Sequence, residues 1–248
     1  MGTWDLLILF YDQPARLIVA AICAYFLGCS NGAVIISKYI LRDDVRTHGS
    51  GNAGLTNFFR TFGGPLTLAV ILIDVLKAVL AVVVGVWLSD FLPFGMGATI
   101  HTESVTFASG MTFVIDPVLH VIFYKYWAGL FCLLGHMFPC MFGFKGGKGI
   151  LSGGTIAWMI DWRLALLVWG GFLLLTVLTR YVSLGSVYAA AFFPVGTWLF
   201  VGHDPVIMVL SVLLGGLILW KHRGNIQRLL KGEESKLSFH KKKGDSST

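Results

Sequence analysis

Six long apolar runs, separated by short polar segments, dominate the chain. They cover about residues 17–41, 65–92, 117–135, 163–179, 182–201 and 205–220. Because about 18 consecutive apolar residues span the roughly 30 Å hydrocarbon core of a bilayer as a helix, these runs predict transmembrane helices. Hydrophobic residues make up 56% of the 248 positions and charged residues 13%, which is not the composition of an ordinary soluble domain. We therefore predict an all-α integral membrane protein that contacts the lipid bilayer.

A seventh apolar run, 150–160, is too short to span a bilayer by itself, so the distribution of charge decides whether it crosses. Cytoplasmic loops carry an excess of Lys and Arg. Segment 38–60 and the tail from residue 221 are basic and predicted to be cytoplasmic, whereas 90–116 lacks Lys and Arg and is predicted to be outside. An outside N-terminus and a cytoplasmic C-terminus then require 150–160 to cross, which gives about seven transmembrane helices.

The chain is predicted to form one membrane domain over residues 1–234, followed by a polar, disordered cytoplasmic tail over 235–248. The net charge of +6 would suit nucleic acid, but the basic residues lie in short loops, where topology and anionic lipid explain them better. We therefore predict no nucleic-acid partner. The four cysteines have no metal-ligand spacing, so we expect them to pack as small apolar residues, and we expect neither a metal nor a cofactor.

The first polar cluster, 49–60, alternates glycines with short hydrogen-bonding side chains and ends on an arginine. Ser, Asn and Thr can orient the hydroxyl groups of a ligand, and Arg can bind a phosphate through two parallel hydrogen bonds. The alternative is a flexible loop before a helix, with the arginine serving only as a cytoplasmic charge. The candidate ligand-binding residues are Ser50, Asn52, Thr56, Asn57 and Arg60.

The second polar cluster, 135–149, combines a histidine, two lysines and five glycines directly after an apolar run. Glycine lets backbone N–H groups approach a ligand and lysine neutralises anionic oxygens, so the segment predicts a phosphate-binding loop. It lacks the Gly-Lys-Ser/Thr ending of a Walker A loop. A glycine-rich interfacial turn whose lysines reach toward water is the alternative. The candidate residues are His136, Lys145, Gly146, Gly147, Lys148 and Gly149.

The third polar cluster follows the last apolar run. On a helix His222 and Asn225 share one face, with Glu233 further along, and Lys221 and Arg223 add positive charge beside them. A histidine and an asparagine on one face suit the positioning of a substrate hydroxyl. A basic helix beside the membrane is the structural alternative.

Two further features lie within or beside the apolar runs. Asp74 and Lys77 fall inside the second run, where charges are costly and usually face a polar interior. At i and i+3 they can simply pair with each other, so a structural and a catalytic interpretation both stay open. At the start of the fifth long run, Arg180, Ser183 and Ser186 offer a cation and two hydroxyls.

In this order, the three clusters resemble the bacterial acyl-phosphate:glycerol-3-phosphate acyltransferases, the PlsY-type family. The chain carries Gly-Ser-Gly-Asn-Ala-Gly-Leu-Thr-Asn-Phe-Phe-Arg, then Gly-His-Met-Phe-Pro with Phe-Lys-Gly-Gly-Lys-Gly, then His-Arg-Gly-Asn-Ile. The resemblance extends from the first run to about residue 234. It implies a seven-helix enzyme of the cell inner membrane, with its site on the cytoplasmic side, that performs the first acylation of phospholipid synthesis. Loop 93–116 is longer than the family's usual outer connection.

The resemblance implies a direct reaction between acyl phosphate and glycerol 3-phosphate. Acyl phosphate already contains a good leaving group, so the 1-hydroxyl of glycerol 3-phosphate can attack the acyl carbon without a covalent enzyme intermediate. We expect the 145–149 loop, with Ser183 or Ser186, to hold the acyl phosphate, and the first and third clusters to hold glycerol 3-phosphate. The expected catalytic residues are His222, Asn225, Ser50 and Lys148.

Two other classes compete with this interpretation, namely a small anion or lipid transporter and a regulatory scaffold. A transporter would be expected to show internal repeats and polar groups near mid-membrane in both halves, whereas the polar groups here concentrate on one face. A scaffold leaves the glycine-lysine loop unexplained. We therefore favour an acyltransferase that works as a monomer. Whether His222 or the substrate phosphate accepts the hydroxyl proton stays open.

Overall fold

A computed structural model of the chain describes residues 14–89, 103–106 and 112–237. Its α-helices are α1 (Pro14–Gly28), α2 (Gly32–Ile35), α3 (Leu55–Thr61), α4 (Leu66–Trp87), α5 (Pro117–Met137), α6 (Ile150–Ile160), α7 (Trp162–Thr179), α8 (Val182–Phe200), α9 (Pro205–Lys221) and α10 (Arg223–Leu230). A π-helical turn, Ile36–Ile40, continues α2, and 3₁₀ turns cover Val45–Thr47 and Cys140–Phe142. Strands β1 (Glu103–Thr106) and β2 (Thr112–Ile115) form an antiparallel hairpin.

The helices confirm the prediction of a helical integral membrane protein. By length and composition, α4, α5, α7 and α8 can each span a membrane. Two bent pairs, α1 with α2 and α9 with α10, form two further candidate spans, with bends of 42° and 59°. The short run 150–160 becomes the apolar helix α6, so each of the seven apolar runs of the sequence contributes a helix.

The first apolar run contains a break that its hydropathy does not predict. α1 ends at Gly28, and Asn31 caps α2 by accepting a hydrogen bond from the Val34 N–H at 3.1 Å. The Asn31 amide also donates to the Ala53 carbonyl at 3.0 Å. The break therefore ties the interior of the bundle to the first polar loop.

The hairpin is the second departure from the sequence pattern, which predicts loop 93–116 only as a long outer connection. Glu103 lies opposite Ile115 in its register. Residues 93–102 and 107–111 of that loop lie outside the described residues.

Helix α5 lies at the centre of the bundle and packs against α1, α4, α6 and α9. Glycines permit the closest crossing, since a Cβ on Gly135 would lie 2.0 Å from the Tyr25 carbonyl oxygen and one on Gly28 would lie 2.1 Å from that of Cys132. Small residues at helix crossings are typical of membrane proteins, where packing drives association. Large apolar side chains face outward on α7, as expected of a surface that contacts lipid: Leu173, Leu174, Val177 and Leu178.

We call the end of the bundle where α5, α7 and α9 finish the pocket face, and the other end the opposite face. α6 has 11 residues, about 16 Å at 1.5 Å per residue, yet it reaches the opposite face. Its last residue is Ile160, followed by Asp161 as the C-cap. Arg163, two residues further on, donates to the carbonyl of Phe200 at 2.7 Å, and Phe200 is the last residue of α8. The first turn of α6 lies deep, because the Ser152 hydroxyl donates to the Asp74 carbonyl at 3.4 Å and Asp74 is about 12 Å into α4. The loop before α6 therefore descends into the bundle and supplies the missing length.

Candidate active site

A pocket of about 750 Å³ opens on the pocket face and is lined by all three polar clusters. The first polar loop, the descending loop with the first turn of α6, the first turns of α8 and the α9–α10 junction meet there. Twelve of the candidate residues line it: Ser50, Asn52, Thr56, Asn57, Arg60, His136, Lys148, Gly149, Ser183, Ser186, His222 and Asn225. The fold thus gathers side chains from widely separated parts of the sequence into one site.

Asn57 organises the first polar loop. It is buried, its amide donates to the carbonyls of Val45, His48 and Asn52 at 2.9, 3.0 and 3.1 Å, and its side-chain oxygen accepts from the Ser50 N–H at 3.0 Å. All of its hydrogen-bonding groups are therefore engaged within the protein. Asn57 shapes the loop, and the side chains around it are left to face the pocket.

Three cations surround one carboxylate in the pocket. Arg228 Nε donates to Glu234 at 2.7 Å, the Asn225 amide donates to the other carboxylate oxygen at 2.8 Å, and Lys148 donates to the Asn225 side-chain oxygen. Arg60 lines the same pocket and is exposed. Burial alone would raise the pKa of Glu234, but hydrogen bonds from Asn225 and Arg228 outweigh it and lower that pKa, so the carboxylate is ionised near pH 7.

Lys148 has a pKa close to physiological pH. Burial of its ammonium, with a smaller contribution from Arg228, lowers its pKa to about 8. A lysine with this pKa is already largely protonated near pH 7, and an anion bound beside it raises the pKa and keeps the ammonium charged. Lys148 is therefore suited to holding a phosphate group.

His222 lies at the junction beyond the last residue of α9. Its Nδ1–H donates to the Ile218 carbonyl at 2.8 Å, which leaves Nε2 as an acceptor in the neutral ring. Burial lowers the pKa of His222 to about 4, so the ring is neutral near pH 7. Its Nε2 lone pair can accept a proton from a substrate hydroxyl.

Two helix N-termini meet at the pocket without side-chain caps. Gly149, which has no side chain, precedes α6. Tyr181 precedes α8, and its side chain accepts no hydrogen bond from that helix. The first N–H groups of a helix have no partner within the helix, and its dipole favours negative charge. Such an end is a ready-made anion site. The first turns of α6 and α8 both line the pocket.

The glycines of the descending loop have a different role from the one predicted. The N–H groups of Gly146 and Gly147 donate to the carbonyls of Met137 and His136, at 3.3 and 3.2 Å, and are therefore not available to a ligand. A Cβ on Gly146 would lie 2.0 Å from the His136 carbonyl oxygen, and one on Gly147 would lie 2.3 Å from His136 Nε2. Both glycines are required by close packing on His136 rather than by backbone contact with phosphate.

Four predicted cations lie outside the pocket, as do Gly146 and Gly147. Lys145 is exposed on the far side of the loop, and Arg180 adopts a left-handed conformation that ends α7. The Lys221 ammonium donates to the Met137 carbonyl at 3.0 Å, and the Arg223 guanidinium stacks on Trp220 at 4.6 Å. Lys221 and Arg223 therefore contact the ends of α5 and α9. Their positions beside His222 along the chain direct them to other faces of the helix.

The segment 231–237, which we call the strap, follows a course that the sequence pattern does not predict. Gly232, at φ +72°, reverses the chain after α10 and brings Glu234 into the pocket, whereas a continuous helix would favour Glu233. Ser235 accepts from Arg60 at 3.3 Å, and the Leu237 N–H donates to the Arg180 carbonyl at 2.8 Å. The start of the predicted disordered tail, 235–237, thus contacts the bundle, and 238–248 lie outside the described residues. A glycine after a helix is the signal that indicates such a reversal.

Asp74 and Lys77 form an ion pair at 2.7 Å beneath the pocket, where both are buried. The Lys77 ammonium also lies 2.7 Å from Nδ1 of His136. Pairing between the two charges, one of the two interpretations of the sequence, is thus present, and the pair has a third member. Within the described residues, no group of three or more His, Cys, Asp or Glu side chains is arranged to hold a metal ion.

Fold and site together define a polytopic helical membrane protein with a pocket lined by cationic side chains at one end of its bundle. The family model for glycerol-3-phosphate acyltransferase matches residues 18–232. The chain belongs to this family, as its three motifs predicted.

Relatives and solved structures match along nearly the whole chain. A glycerol-3-phosphate acyltransferase of Thermoanaerobacter pseudethanolicus is 34% identical over 89% of this chain and 95% of its own length. One from Halalkalibacterium halodurans is 36% identical over 88% and 94%. The crystal structure of PlsY, an integral membrane glycerol 3-phosphate acyltransferase, in its glycerol 3-phosphate form, has a TM-score of 0.70 and 28% identity, covering 90% of this chain and 96% of that one. Its lysophosphatidic acid form has a TM-score of 0.68.

Proposed function

We propose that this chain transfers an acyl group from acyl phosphate to the 1-hydroxyl of sn-glycerol 3-phosphate, giving 1-acyl-glycerol 3-phosphate and phosphate. The observation that carries the proposal is that three cationic side chains, two uncapped helix N-termini and a buried imidazole converge on one pocket. Two phosphate groups held close together repel each other, and these positive groups offset the repulsion. The PlsY structures with glycerol 3-phosphate and lysophosphatidic acid support the same chemistry.

The acyl phosphate group binds at the first turn of α6, beside Lys148 and the hydroxyls of Ser183 and Ser186 at the start of α8. This position gives its phosphate both helix N-termini. The acyl chain then extends between the apolar helices. Glycerol 3-phosphate lies between the first polar loop and the His222–Asn225 pair, and its binding residues are Ser50, Asn52, Thr56 and Arg60.

The reaction is a direct substitution at the acyl carbon. The substrate hydroxyl oxygen forms a bond to that carbon, the carbon–oxygen bond to phosphate breaks, and phosphate leaves with the electron pair. The hydroxyl proton passes to His222 Nε2 or to a phosphate oxygen. Positioning of the two substrates accounts for much of the rate, and positioning alone can lower a barrier by about 7–11 kcal/mol. Neither a metal nor a cofactor is required, because phosphate is already a good leaving group.

The pocket face is cytoplasmic, and the protein lies in the cell inner membrane with its N-terminus outside. The basic loop 38–60 and the tail from residue 221 support this orientation, because positive charge is retained on the cytoplasmic side. We propose that the enzyme works as a monomer.

Purified protein in liposomes tests the choice of donor. Phosphate release and labelled product are measured with glycerol 3-phosphate and either acyl phosphate or acyl-CoA, with and without excess chelator. We expect turnover with acyl phosphate, little with acyl-CoA, and no loss in chelator. Equal turnover with acyl-CoA would contradict the proposed donor, and turnover with neither would contradict the proposed reaction.

A further inference from the structure

The proton arrangement of the Asp74–Lys77–His136 triad can be worked out from its contacts. Lys77 is 3% exposed, and its ammonium donates to the Asp74 carboxylate at 2.7 Å, to the Ser30 carbonyl at 3.1 Å and to Nδ1 of His136 at 2.7 Å. An ammonium has three N–H donors and no acceptor, so these three acceptors satisfy it completely. Nδ1 of His136 is therefore the acceptor in its contact and carries no proton.

The single proton of the neutral His136 ring must then lie on Nε2. The His136 side chain is only 4% exposed, yet it lines the pocket. Nε2 lies on the side of the ring away from Lys77 and next to Gly147, where a Cβ would approach it to 2.3 Å. Among the described residues we find no hydrogen-bond partner for Nε2. A largely buried histidine ring therefore presents an N–H donor at the wall of the pocket.

The position of Lys77 is itself fixed by several helices. The Asp74 carboxylate also accepts from the Gly32 N–H at 3.2 Å, where α2 begins. The Asp74 carbonyl accepts from the Ser152 hydroxyl at 3.4 Å, in the first turn of α6. An ion pair tied by hydrogen bonds to two other helices holds a defined conformation. One N–H of Lys77 donates to Asp74 in the ion pair and a second donates to the Ser30 carbonyl. The third N–H donates to Nδ1 of His136.

We propose that Lys77 is a positioning residue that holds His136 in its Nε2–H tautomer, so that this N–H donates to a phosphate oxygen of a bound substrate. The identity of that ligand rests on the proposed function, whereas the tautomer does not. His136 then adds a neutral donor at the floor of the pocket, beneath the charged side chains of Lys148 and Arg60.

Nitrogen-15 NMR of histidine-labelled protein in nanodiscs tests the tautomer, with His136→Gln used to assign the signal. We expect a protonated Nε2 and an unprotonated Nδ1, and a shift of the Nε2–H signal on titration with inorganic phosphate. A protonated Nδ1 would overturn the proposal, as would a His136 signal that ignores phosphate while that of His222 moves. This measurement needs no turnover, so it remains decisive even if the proposed reaction is not observed.

A matched pair of variants tests the donor. Glutamine at position 136 can place an amide N–H near the position of Nε2, whereas the shorter asparagine cannot. His136→Asn should raise the KM for a phosphate-bearing substrate about 10-fold with little change in kcat, as expected for loss of one hydrogen bond to an anion. His136→Gln should recover most of that loss. Equal KM values in the two variants would contradict a role for the Nε2–H.

The role of Lys77 needs a variant that leaves no unpaired charge, because Lys77→Met alone strands the buried carboxylate. The double variant Asp74→Asn/Lys77→Met removes both charges together. It should show a mixture of His136 tautomers and a KM between those of wild type and His136→Asn, because only the Nε2–H fraction can donate. Adding His136→Asn to it should bring KM to the value of His136→Asn alone. Lys125→Met, which changes a lysine of α5 outside the pocket, is the matched control. A folded double variant with wild-type tautomer and KM would reduce the pair to a structural role and overturn the proposal.

Discussion

The two ends of the bundle treat their helix N-termini in opposite ways. At the opposite face, Asp116, Asp161 and Asp204 cap α5, α7 and α9, and each side chain accepts a hydrogen bond from the first turn of its helix. At the pocket face, the residues before α6, α8 and α10 are Gly149, Tyr181 and His222. None of them provides a side-chain cap for the helix that follows it. For these six helices, the protein supplies its own anions at the opposite face and leaves the first N–H groups uncapped by the preceding side chain at the pocket face, whereas α2 is capped by Asn31.

The arginines and lysines show the same contrast. At the opposite face, Arg163 is held by both carboxylate oxygens of Asp161, at 3.1 and 2.8 Å, so its charge is balanced locally. In the pocket, Lys148, Arg60 and Arg228 lie near the carboxylate of Glu234, while the other carboxylate that lines the pocket, that of Asp74, is paired with Lys77. This difference indicates where phosphate groups of a ligand are expected to bind, namely beside cations that have few carboxylate partners and next to helix N-termini without side-chain caps.

Removal of the Lys148 charge should have the largest effect on this contrast. Lys148→Met should lower kcat/KM about 100-fold or more, the typical cost of losing a charged donor at a reacting group. Because the pKa of Lys148 is about 8, raising the pH through that value removes its proton, and wild-type kcat/KM should fall on the alkaline side. Lys148→Arg should move that fall to higher pH. The control is Lys145→Met, on the same loop but outside the pocket, and an equal loss there would contradict the assignment.

His222 and Asn225 should come next. His222→Ala and Asn225→Ala should each lower kcat about 100-fold while the protein stays folded in the membrane. If His222 accepts the proton, the acidic limb of the wild-type kcat/KM profile reports its pKa of about 4 in the free enzyme, and His222→Ala abolishes that limb. If substrate phosphate accepts the proton, the limb survives. His203→Ala, at the opposite face, is the control, and unchanged kcat in both site variants would remove the α9–α10 junction from catalysis.

The sequence predicted the seven apolar segments and the three clusters because both depend on local composition. Long apolar runs, and polar groups placed at their ends, are visible without knowledge of packing. The resemblance then indicated which clusters meet. The break at Asn31 escaped prediction because it depends on a hydrogen bond to Ala53 in another segment.

The roles of individual site residues depended on geometry that the sequence does not contain. Glu234 reaches the pocket only because Gly232 reverses the chain, so a helical pattern points to Glu233 instead. Gly146 and Gly147 show the same limit, since glycine that meets a ligand and glycine that packs on a histidine look identical in sequence. A cluster can therefore be predicted, but the partner of each group within it cannot.

A charged cap introduced at the pocket face should have a moderate effect. Tyr181 already has the extended backbone of an N-cap, with φ −97° and ψ 99°. Tyr181→Asp should stabilise α8 by about 1 kcal/mol and raise the KM for acyl phosphate about 5-fold, because its carboxylate competes for the same N–H groups. Tyr181→Asn separates capping from charge, since it caps without adding a negative charge. A lower KM in Tyr181→Asp would contradict the view that α8 is left open for phosphate.

The smallest effect on activity is expected from the opposite face, and it completes the comparison. Asp204 accepts from the N–H groups of Val206 and Ile207 at 2.8 and 3.1 Å, so Asp204→Ala removes a cap that serves only α9. The free energy of unfolding should fall by about 1 kcal/mol, the usual value of such a cap. KM and kcat should stay within about 2-fold of wild type, because loss of a cap at the far end of α9 changes no group that contacts substrate. Asp204→Asn, which keeps a capping oxygen, should recover most of the stability. A large rise in KM in Asp204→Ala would show that the two ends of the bundle are coupled and that their separation into a structural end and a ligand-binding end is wrong.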